Sequence, residues 1–222
     1  RPGAATVSVA EEVARVEGVV RALSAAGVCV SIDTRHAQVA QAAVRAGAAI
    51  LNDVTGFRDP AMVAVAQSAD VGLVVMHMAG DDPATMQDNP RYDDVVAEVC
   101  QYLKARAAAL VDAGIGPDRI CLDPGPGFGK TAEQTLELVR NIHMVARLGY
   151  PTMAALSRKS FIGKAYGIPE PKERDAASAS ESLMACELGA TILRVHNVSA
   201  TMATLQNVRP LAVLSLGCNV PL

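Results

Sequence analysis

The chain has 222 residues, of which 50% are hydrophobic, so it can bury a large core as a single domain. Its formal net charge of −3 and isoelectric point near 5.8 provide no basic surface, which argues against nucleic-acid binding. No apolar stretch reaches the roughly 18 residues that a membrane-spanning helix needs, so no membrane span is expected.

Apolar runs and turn residues predict strands and helices in alternation along the chain. Ser8 and Glu11 form a capping box for the first helix, and Thr34 is expected to cap the second. Asp59 and Pro60 begin the third. In chain order, the predicted elements are helix 9–26, strand 28–32, helix 35–46, strand 48–52, helix 60–68, strand 71–76, a long loop 79–92, helix 93–113, strand 119–122, helix 131–148, strand 152–156, helix 172–188, strand 191–195 and helix 199–208.

Each of the six apolar strands is followed by polar residues that could bind a ligand. These residues are Asp33, Asn52, His77, Asp123, the sequence Ser157-Arg158-Lys159, and His196 with Arg194 two positions before it. In a parallel (β/α) barrel the carboxyl ends of all strands open on one face, where ligands bind. The sequence therefore predicts one apolar pocket with carboxylates at one end and cations at the other.

Six strands precede residue 200, whereas a closed (β/α) barrel has eight. The predicted fold is therefore α/β, a TIM (β/α)8 barrel that lacks its first two βα units, which are expected to lie N-terminal to Arg1. Residues 1–209 are assigned to this barrel domain. The apolar tail 210–222 is expected to be the first strand of a following domain.

The segment 122–131 is rich in glycine and proline, and its glycines would let the backbone approach a flat ligand closely. Gly129-Lys130-Thr131 matches the end of a phosphate-binding P-loop, but Pro124 stands where the first glycine is required. We therefore reject a P-loop. A simple turn between a strand and a helix remains an alternative interpretation.

Two later segments carry cations. Lys159 lies close to the apolar pair Phe161-Ile162, and a buried lysine is costly unless it meets an anion, which favours a binding role over a solvated loop. Arg194 and His196 alternate along the last predicted strand, so both should lie on one face. Arginine is suited to bidentate phosphate contacts, and the pair predicts a diphosphate site.

Several single residues leave alternatives open. Asn52 should point inward together with Ile50, which leaves Asp53 as a loop or supporting residue. Asp33 could instead cap the helix that follows it. His77 could be a structural residue.

The five cysteines are odd in number, widely spaced and without a CxxC pair. This pattern favours a reduced, cytoplasmic protein over a disulfide framework or a zinc site. Cys29 and Cys121 lie in predicted strands and are expected to be small buried thiols.

Taken together, these motifs resemble those of the dihydropteroate synthase family. The matching segments are 31–34, 51–54, 75–78, 122–130, 157–163 and 194–198, and residues 1–4 are similar to the end of the family's second active-site loop. The resemblance extends over residues 1–209 and implies a (β/α)8 barrel. It also implies the condensation of p-aminobenzoate with 6-hydroxymethyl-7,8-dihydropterin diphosphate, which gives dihydropteroate and diphosphate for folate biosynthesis.

The resemblance implies a role for each site residue. The pterin pocket would be lined by Asp33, Asn52, Met76, Asp123 and Lys159. Arg194 and His196 would hold the diphosphate. The aminobenzoate would be bordered by Pro2, Phe128, Lys159 and Ser160. The implied catalytic residues are Asp123, Lys159, Arg194 and His196. In this family the pterin methylene–oxygen bond is understood to break first, which leaves a delocalised cation for the arylamine to attack.

The family's cofactor is Mg2+, and its asparagine ligand belongs to a first loop that has no counterpart in this sequence, so no metal ligand is assigned within the chain. The family commonly forms a homodimer, which is expected here as well. The tail from Leu214 to Asn219 is similar to the opening strand of hydroxymethyldihydropterin pyrophosphokinase, so a bifunctional parent protein is also expected.

Two other functions compete with this interpretation. A corrinoid-linked methyltransferase that binds methyltetrahydrofolate would share the aspartate and asparagine positions, but it would not need the cations at 158–159 and 194–196. A non-catalytic pterin-binding fragment is compatible with the two missing βα units.

Overall fold

The computed structural model describes residues 7–80 and 82–208, which form parallel strands that alternate with helices. The strands are β1 (Ser31–Asp33), β2 (Ile50–Asp53), β3 (Gly72–Met76), β4 (Ile120–Asp123), β5 (Met153–Ala154) and β6 (Ile192–Leu193). The helices are α1 (Val9–Ala25), α2 (Ala37–Arg45), α3 (Pro60–Ser68), α4 (Val95–Asp112), α5 (Ala132–Arg140), α6 (Ile142–Ala146), α7 (Ser160–Tyr166), α8 (Asp175–Glu187) and α9 (Val198–Val208). Short 3₁₀ turns at Pro117–Arg119 and Pro171–Arg174 precede β4 and α8. The predicted tail strand, 210–222, lies outside the described residues.

The strands follow one another in chain order across the sheet. Asn52 of β2 lies opposite Asp33 of β1 and Val74 of β3, and β3 pairs in parallel with β4. A bridge between Leu122 and Thr152 continues this order to β5, which pairs in parallel with β6. All six strands therefore run in the same direction and end at one edge. The predicted α/β class with parallel strands is confirmed.

Alternate side chains of the strands face two different layers. The outer face packs on the helices, and its buried residues include Leu51, Leu73, Val75, Ile120 and Leu122. The inner face forms a small apolar cluster of Val74, Cys121 and Met153, with Ile50 and Ile192 packed against it. Two residues further along each strand, the same alternation gives Asn52, Met76, Asp123 and Arg194. The polar residues thus lie directly above an apolar floor.

The predicted starts of the first and third helices are largely correct. Ser8 Oγ accepts a hydrogen bond from Glu11 N at 3.3 Å, which caps α1. The Glu11 carboxylate pairs with Arg15 at 2.5 Å, so only the Ser8 half of the predicted box is present among the described residues. Asp59 caps α3 through Ala61 N at 2.8 Å.

Thr34 does not cap α2, contrary to the prediction. Its hydroxyl donates to the Glu12 carboxylate at 2.6 Å and accepts from His36 N at 3.2 Å, while His36 itself occupies the N-cap position of α2. The acidic side chain on α1 holds the Thr34 hydroxyl, and the helix begins two residues later than predicted.

The single helix predicted over 131–148 is also wrong, because the chain forms α5 and α6 with a break at Asn141. The Asn141 side chain donates to Glu137 O at 3.0 Å, and asparagine side chains that bond to the local backbone compete with helix continuation. Helix α7 was not predicted at all.

The two cysteines expected to be buried differ from each other. Cys29 is exposed. The predicted strand 28–32 begins too early, because β1 starts only at Ser31, so Cys29 precedes the strand. Cys121 is fully buried on β4, and burial raises the pKa of its thiol to about 12.

Candidate active site

The carboxyl ends of the strands bring together most of the side chains that the sequence singled out. Asp123, at the end of β4, interacts electrostatically with Lys159 and Arg194. Lys159 also interacts with Asp33. We refer to the site formed by Asp33, Asn52, Met76, Asp123, Lys159 and Arg194 as the mouth. Its acidic, amide and cationic groups come from different strands and adjoining loops.

Asn52 is a buried amide without a partner. Its side chain is 4% exposed, and neither Oδ1 nor Nδ2 has a hydrogen-bond partner among the described residues. Leaving one such buried polar atom unpaired costs about 1–3 kcal/mol, and buried polar atoms are nearly always satisfied. The Asn52 amide is therefore complementary to a ligand edge that offers both a donor and an acceptor.

Asp123 is a buried carboxylate, with only 1% of its surface exposed. Oδ1 accepts a hydrogen bond from Gly125 N at 2.8 Å, which fixes the orientation of the carboxylate. Burial raises the pKa of Asp123, and Lys159 makes the largest opposing contribution. The group is thus a desolvated acid whose charge is balanced by cations at the mouth.

Lys159 lies in the loop between β5 and α7, immediately before the helix. Its Nζ donates to Pro126 O at 2.5 Å and lies 4.9 Å from the centroid of the Phe128 ring. Burial lowers the pKa of Lys159 to about 8, although the nearby Asp123 favours its charged form. The residue therefore still carries a cation to the mouth at neutral pH.

Arg194 and Asp33 form an ion pair across the mouth, with Arg194 Nη2 2.8 Å from Asp33 Oδ2. Both side chains are about half exposed. The backbone N of Arg194 donates to Ala154 O, so Arg194 continues the pairing of β6. The alternative role for Asp33, as the cap of α2, is wrong, because His36 occupies that position.

His196, like Arg194, lies beyond the end of β6, so its place on the same face as Arg194 stays a prediction. Its Nδ1 lies 2.9 Å from Ser157 Oγ, and its backbone N donates to the same oxygen at 3.2 Å. The loop after β6 is thereby tied to the loop that carries Lys159. Ser160 is exposed at the first position of α7.

The apolar wall of the mouth is formed by methionines and Phe128. Met76, Met78 and Met86 are buried together, and Val54 and Phe128 pack against them. Phe128 thus lies between the methionine cluster and the Lys159 ammonium group. The remaining predicted site residue, Pro2, lies outside the described residues.

Asp53 and His77 point away from the mouth. The Asp53 carboxylate accepts hydrogen bonds from Thr55 and from Phe57 N, which stabilises the loop after β2. The His77 ring packs edge-on against Tyr102, with 4.9 Å between ring centroids. Asp53 and His77 directly follow the inward-facing Asn52 and Met76, so strand alternation directs their side chains to the other face of the sheet. Both residues therefore support the site from outside the mouth.

Lys130 is a buried cation to which no role in the site was assigned from the sequence. It is 3% exposed, and its Nζ lies 2.9 Å from His77 Nδ1 and donates to Gly125 O and Phe128 O at 3.0 and 3.1 Å. Lys130 therefore joins the glycine-rich loop after β4 to the chain after β3. Nothing in the sequence around Lys130 indicated that its side chain would be buried.

The Lys130→Met substitution is expected to change how stability depends on pH. Burial lowers the pKa of Lys130 from its ordinary value of 10.5 to about 7. Between these values the unfolded chain binds more protons than the folded one, so this group makes the protein more stable as pH rises from about 7 to 10.5. Urea unfolding at several pH values should show this increase in the wild type and a smaller one in the variant.

The exposed Lys104 provides the control, because Lys104→Met should leave the pH dependence unchanged. Parallel curves of unfolding free energy against pH for the wild type and Lys130→Met would contradict the assignment.

Comparisons with known proteins identify the family. Residues 1–196 match the family model described as pterin binding enzyme. The dihydropteroate synthase of Neisseria meningitidis serogroup C is 44% identical over 209 residues, which cover 93% of this chain and 74% of that protein. The dihydropteroate synthase of Synechocystis is 42% identical over 202 residues, or 90% of this chain and 70% of that protein. The chain belongs to the dihydropteroate synthase family.

Solved structures of the family agree with this assignment. Burkholderia cenocepacia dihydropteroate synthase, complexed with 7,8-dihydropteroate, has a TM-score of 0.87 and 45% identity, covering 94% of this chain and 76% of that one. The Thermus thermophilus enzyme in complex with 4-aminobenzoate has a TM-score of 0.87 and 45% identity, covering 90% of this chain and 77% of that one. Dihydropteroate synthases are transferases of folate biosynthesis with a TIM barrel fold, so the predicted family, fold class and main function are confirmed.

Dihydropteroate synthases generally depend on Mg2+, an ion that prefers oxygen ligands. Among the described residues, no three histidine, cysteine, aspartate or glutamate side chains lie close enough to hold a metal together. The mouth's carboxylates face cations, which does not fit a magnesium site formed by these residues alone. None of the helices in the described part of the chain is long and apolar enough to span a membrane.

Proposed function

We propose that this chain condenses p-aminobenzoate with 6-hydroxymethyl-7,8-dihydropterin diphosphate at the mouth, releasing dihydropteroate and diphosphate. The buried, unpaired Asn52 amide is the observation that carries the proposal. An amide that lacks partners among the described residues, at the same edge of the sheet as the desolvated Asp123 carboxylate, matches the alternating donors and acceptors of an aminopyrimidine ring. An apolar substrate would leave both Asn52 atoms unsatisfied.

At the pterin end, Asp123 would accept hydrogen bonds from ring N–H groups, and Asn52 would pair with an adjoining donor and acceptor. Met76 is buried beside this position and would pack on the ring face. Asp33 directs Oδ2 toward Arg194, and its other oxygen, Oδ1, can accept from the ligand. Lys159 would donate to an acceptor of the pterin, because its ammonium group lies between the two carboxylates in the electrostatic network.

At the other end, Arg194 and His196 would hold the diphosphate. Cleavage of the methylene–oxygen bond leaves positive charge on the dihydropterin and returns the bonding electron pair to diphosphate. The Asp123 carboxylate would stabilise the first charge, and Arg194 and His196 the second. The arylamine nitrogen then bonds to the methylene carbon and loses a proton. A carboxylate facing the dihydropterin and cations facing the diphosphate are what this separation of charge requires.

The aminobenzoate is assigned to the rim of the mouth, where Phe128 and Lys159 are in contact and Ser160 is exposed. Phe128 provides an aromatic surface, and Lys159 a cation for the carboxylate. Pro2 is retained as a prediction for this rim. Magnesium, a homodimer and a cytoplasmic location follow from the family and also stay predictions.

The Lys159→Ala and Arg194→Ala substitutions are expected to lower kcat/KM at least tenfold each, or about 1.4 kcal/mol of transition-state stabilisation. Each removes a cation that faces charge in the reaction. Steady-state rates with both substrates and magnesium provide the measurement. Lys164, which is exposed in the last turn of α7, is the control, and Lys164→Ala should keep the wild-type rate.

The same assay tests the function itself. Turnover by the wild-type chain, inhibited competitively by inorganic diphosphate, supports dihydropteroate synthesis over a methyltransferase, which has no diphosphate site. Absence of turnover with both substrates and magnesium would overturn the proposal for this chain. Wild-type kinetics in both variants would overturn the assigned roles.

A further inference from the structure

We propose that Asp175, at the start of α8, is a positioning residue that holds the two cation-bearing loops of the mouth in register. It acts through Arg158, Ser178 and Asn197, and we refer to these four residues as the Asp175 network. None of them belongs to the mouth. The proposal rests on the proposed function, because it explains how Lys159 and His196 are kept at their positions.

The first contact of the network fixes the loop between β5 and α7. Arg158 has φ of +60°, a left-handed conformation that costs an L-residue about 1–2 kcal/mol. Its guanidinium group bonds to both Asp175 oxygens, at 2.6 and 2.9 Å, and its backbone N donates to Ser178 Oγ at 2.9 Å. A bidentate ion pair and a helix side chain thus hold the strained residue directly before Lys159.

The second contact fixes the loop between β6 and α9. Asn197 Nδ2 donates to Asp175 Oδ2 at 2.9 Å, and Asn197 directly follows His196. The same carboxylate therefore bonds to the neighbour of Lys159 in one loop and to the neighbour of His196 in the other. The contact between Ser157 and His196 is a second tie between these loops.

The network also has an electrostatic consequence. Arg158 pairs its charge with Asp175, while the adjoining Lys159 interacts with Asp123. This arrangement lets two consecutive cations serve different purposes. Without the Asp175 charge, the Arg158 guanidinium group would lose the partner that compensates its left-handed backbone, and Lys159 would shift with it.

Arg174 supports the same loop through contacts that do not involve Asp175. It is buried, and it donates to Ile168 O at 2.8 Å and to Arg158 O at 3.0 Å, with a further contact to Pro169 O. Its guanidinium group fills the space beside Gly163, where a Cβ atom would overlap it. The loop thus has an independent support, and loss of the Asp175 charge should alter position rather than abolish folding.

The test is the affinity for inorganic diphosphate, measured by calorimetric titration in the presence of magnesium. The Asp175→Asn substitution keeps the size of the side chain and removes its charge. Because the ion pair is partly exposed and bidentate, we expect the dissociation constant to rise about fivefold. Asp175→Glu should retain affinity within about twofold, because it restores the carboxylate. Asp70→Asn is the matched control, since Asp70 is an exposed partner of Arg119 far from the mouth.

Steady-state kinetics and thermal unfolding separate positioning from folding. At a temperature where all variants are folded, Asp175→Asn should raise KM for the pterin diphosphate more than it lowers kcat. Diphosphate affinity within twofold of wild type in Asp175→Asn, or an equal loss in Asp175→Glu, would overturn the proposal. The titration needs no turnover, so an inactive wild-type chain would contradict the proposed function while the binding series still decides this inference.

Discussion

Replacing Asp123 by asparagine is expected to lower kcat/KM by about a hundredfold or more, the usual effect of removing one group that stabilises transition-state charge. Asparagine keeps the size of the side chain, and its Oδ1 can still accept from Gly125 N. What disappears is the buried negative charge that would face the cationic dihydropterin. Steady-state rates with both substrates provide the measurement.

Folding should survive this change. Burial raises the pKa of Asp123, so the folded protein gains no net stability from desolvating that charge. The variant leaves Lys159 and Lys130 without this counter-charge, so urea unfolding should show a cooperatively folded protein of somewhat lower stability than the wild type. Asp118→Asn, an exposed change on the turn before β4, should alter neither rate nor stability. A rate for Asp123→Asn within threefold of wild type would remove Asp123 from the mechanism.

The Gly125→Ala substitution should have the largest effect on stability. Gly125 has φ of +65°, and a Cβ atom there would overlap the carbonyl oxygen of His77. The left-handed conformation alone costs an L-residue about 1–2 kcal/mol. Because the obstacle is backbone rather than a flexible side chain, the loop must move, and we expect a total loss of about 3 kcal/mol or more.

The same displacement should reduce activity, because Gly125 donates its N–H to Asp123 and its carbonyl oxygen accepts from Lys130. Urea unfolding measures the stability loss. Gly114→Ala separates the two causes: Gly114 has φ of +87°, and no atom lies within 4 Å of an added Cβ. That control should lose only the conformational cost. Equal losses in the two variants would show that contact with His77 is unimportant.

Strand periodicity was sufficient to predict the inward side of the sheet. The position of Asn52 relative to Ile50 follows from alternation alone, and the same reasoning separates Asn52 from the supporting residue Asp53. The alternation of apolar runs and turn residues likewise gave the parallel order of the strands. These features depend on neighbours close in sequence, so they can be read without the fold.

Contacts between distant segments could not be derived in this way. The bond between Lys130 and His77 joins residues 53 positions apart, and the pair of Asp33 with Arg194 joins the first strand to the last. Helix α7 was missed because its residues were read only as a binding motif. The place of His196 beside Arg194 stays a prediction, because the paired part of β6 ends at Leu193.

Because Asp33 and Arg194 form an ion pair, binding of a ring at Asp33 is thermodynamically coupled to binding of an anion at Arg194. A polyanion that takes Arg194 leaves the Asp33 carboxylate without its ion-pair partner at the place assigned to the N–H-rich ring, which raises the affinity for that ring. By reciprocity, a ring that engages Asp33 releases Arg194 for the anion. A molecule that carries both the ring and the polyanion therefore binds with a more favourable free energy than the sum for the two parts bound separately. Selectivity for the pterin diphosphate over the free pterin follows from this exchange of partners.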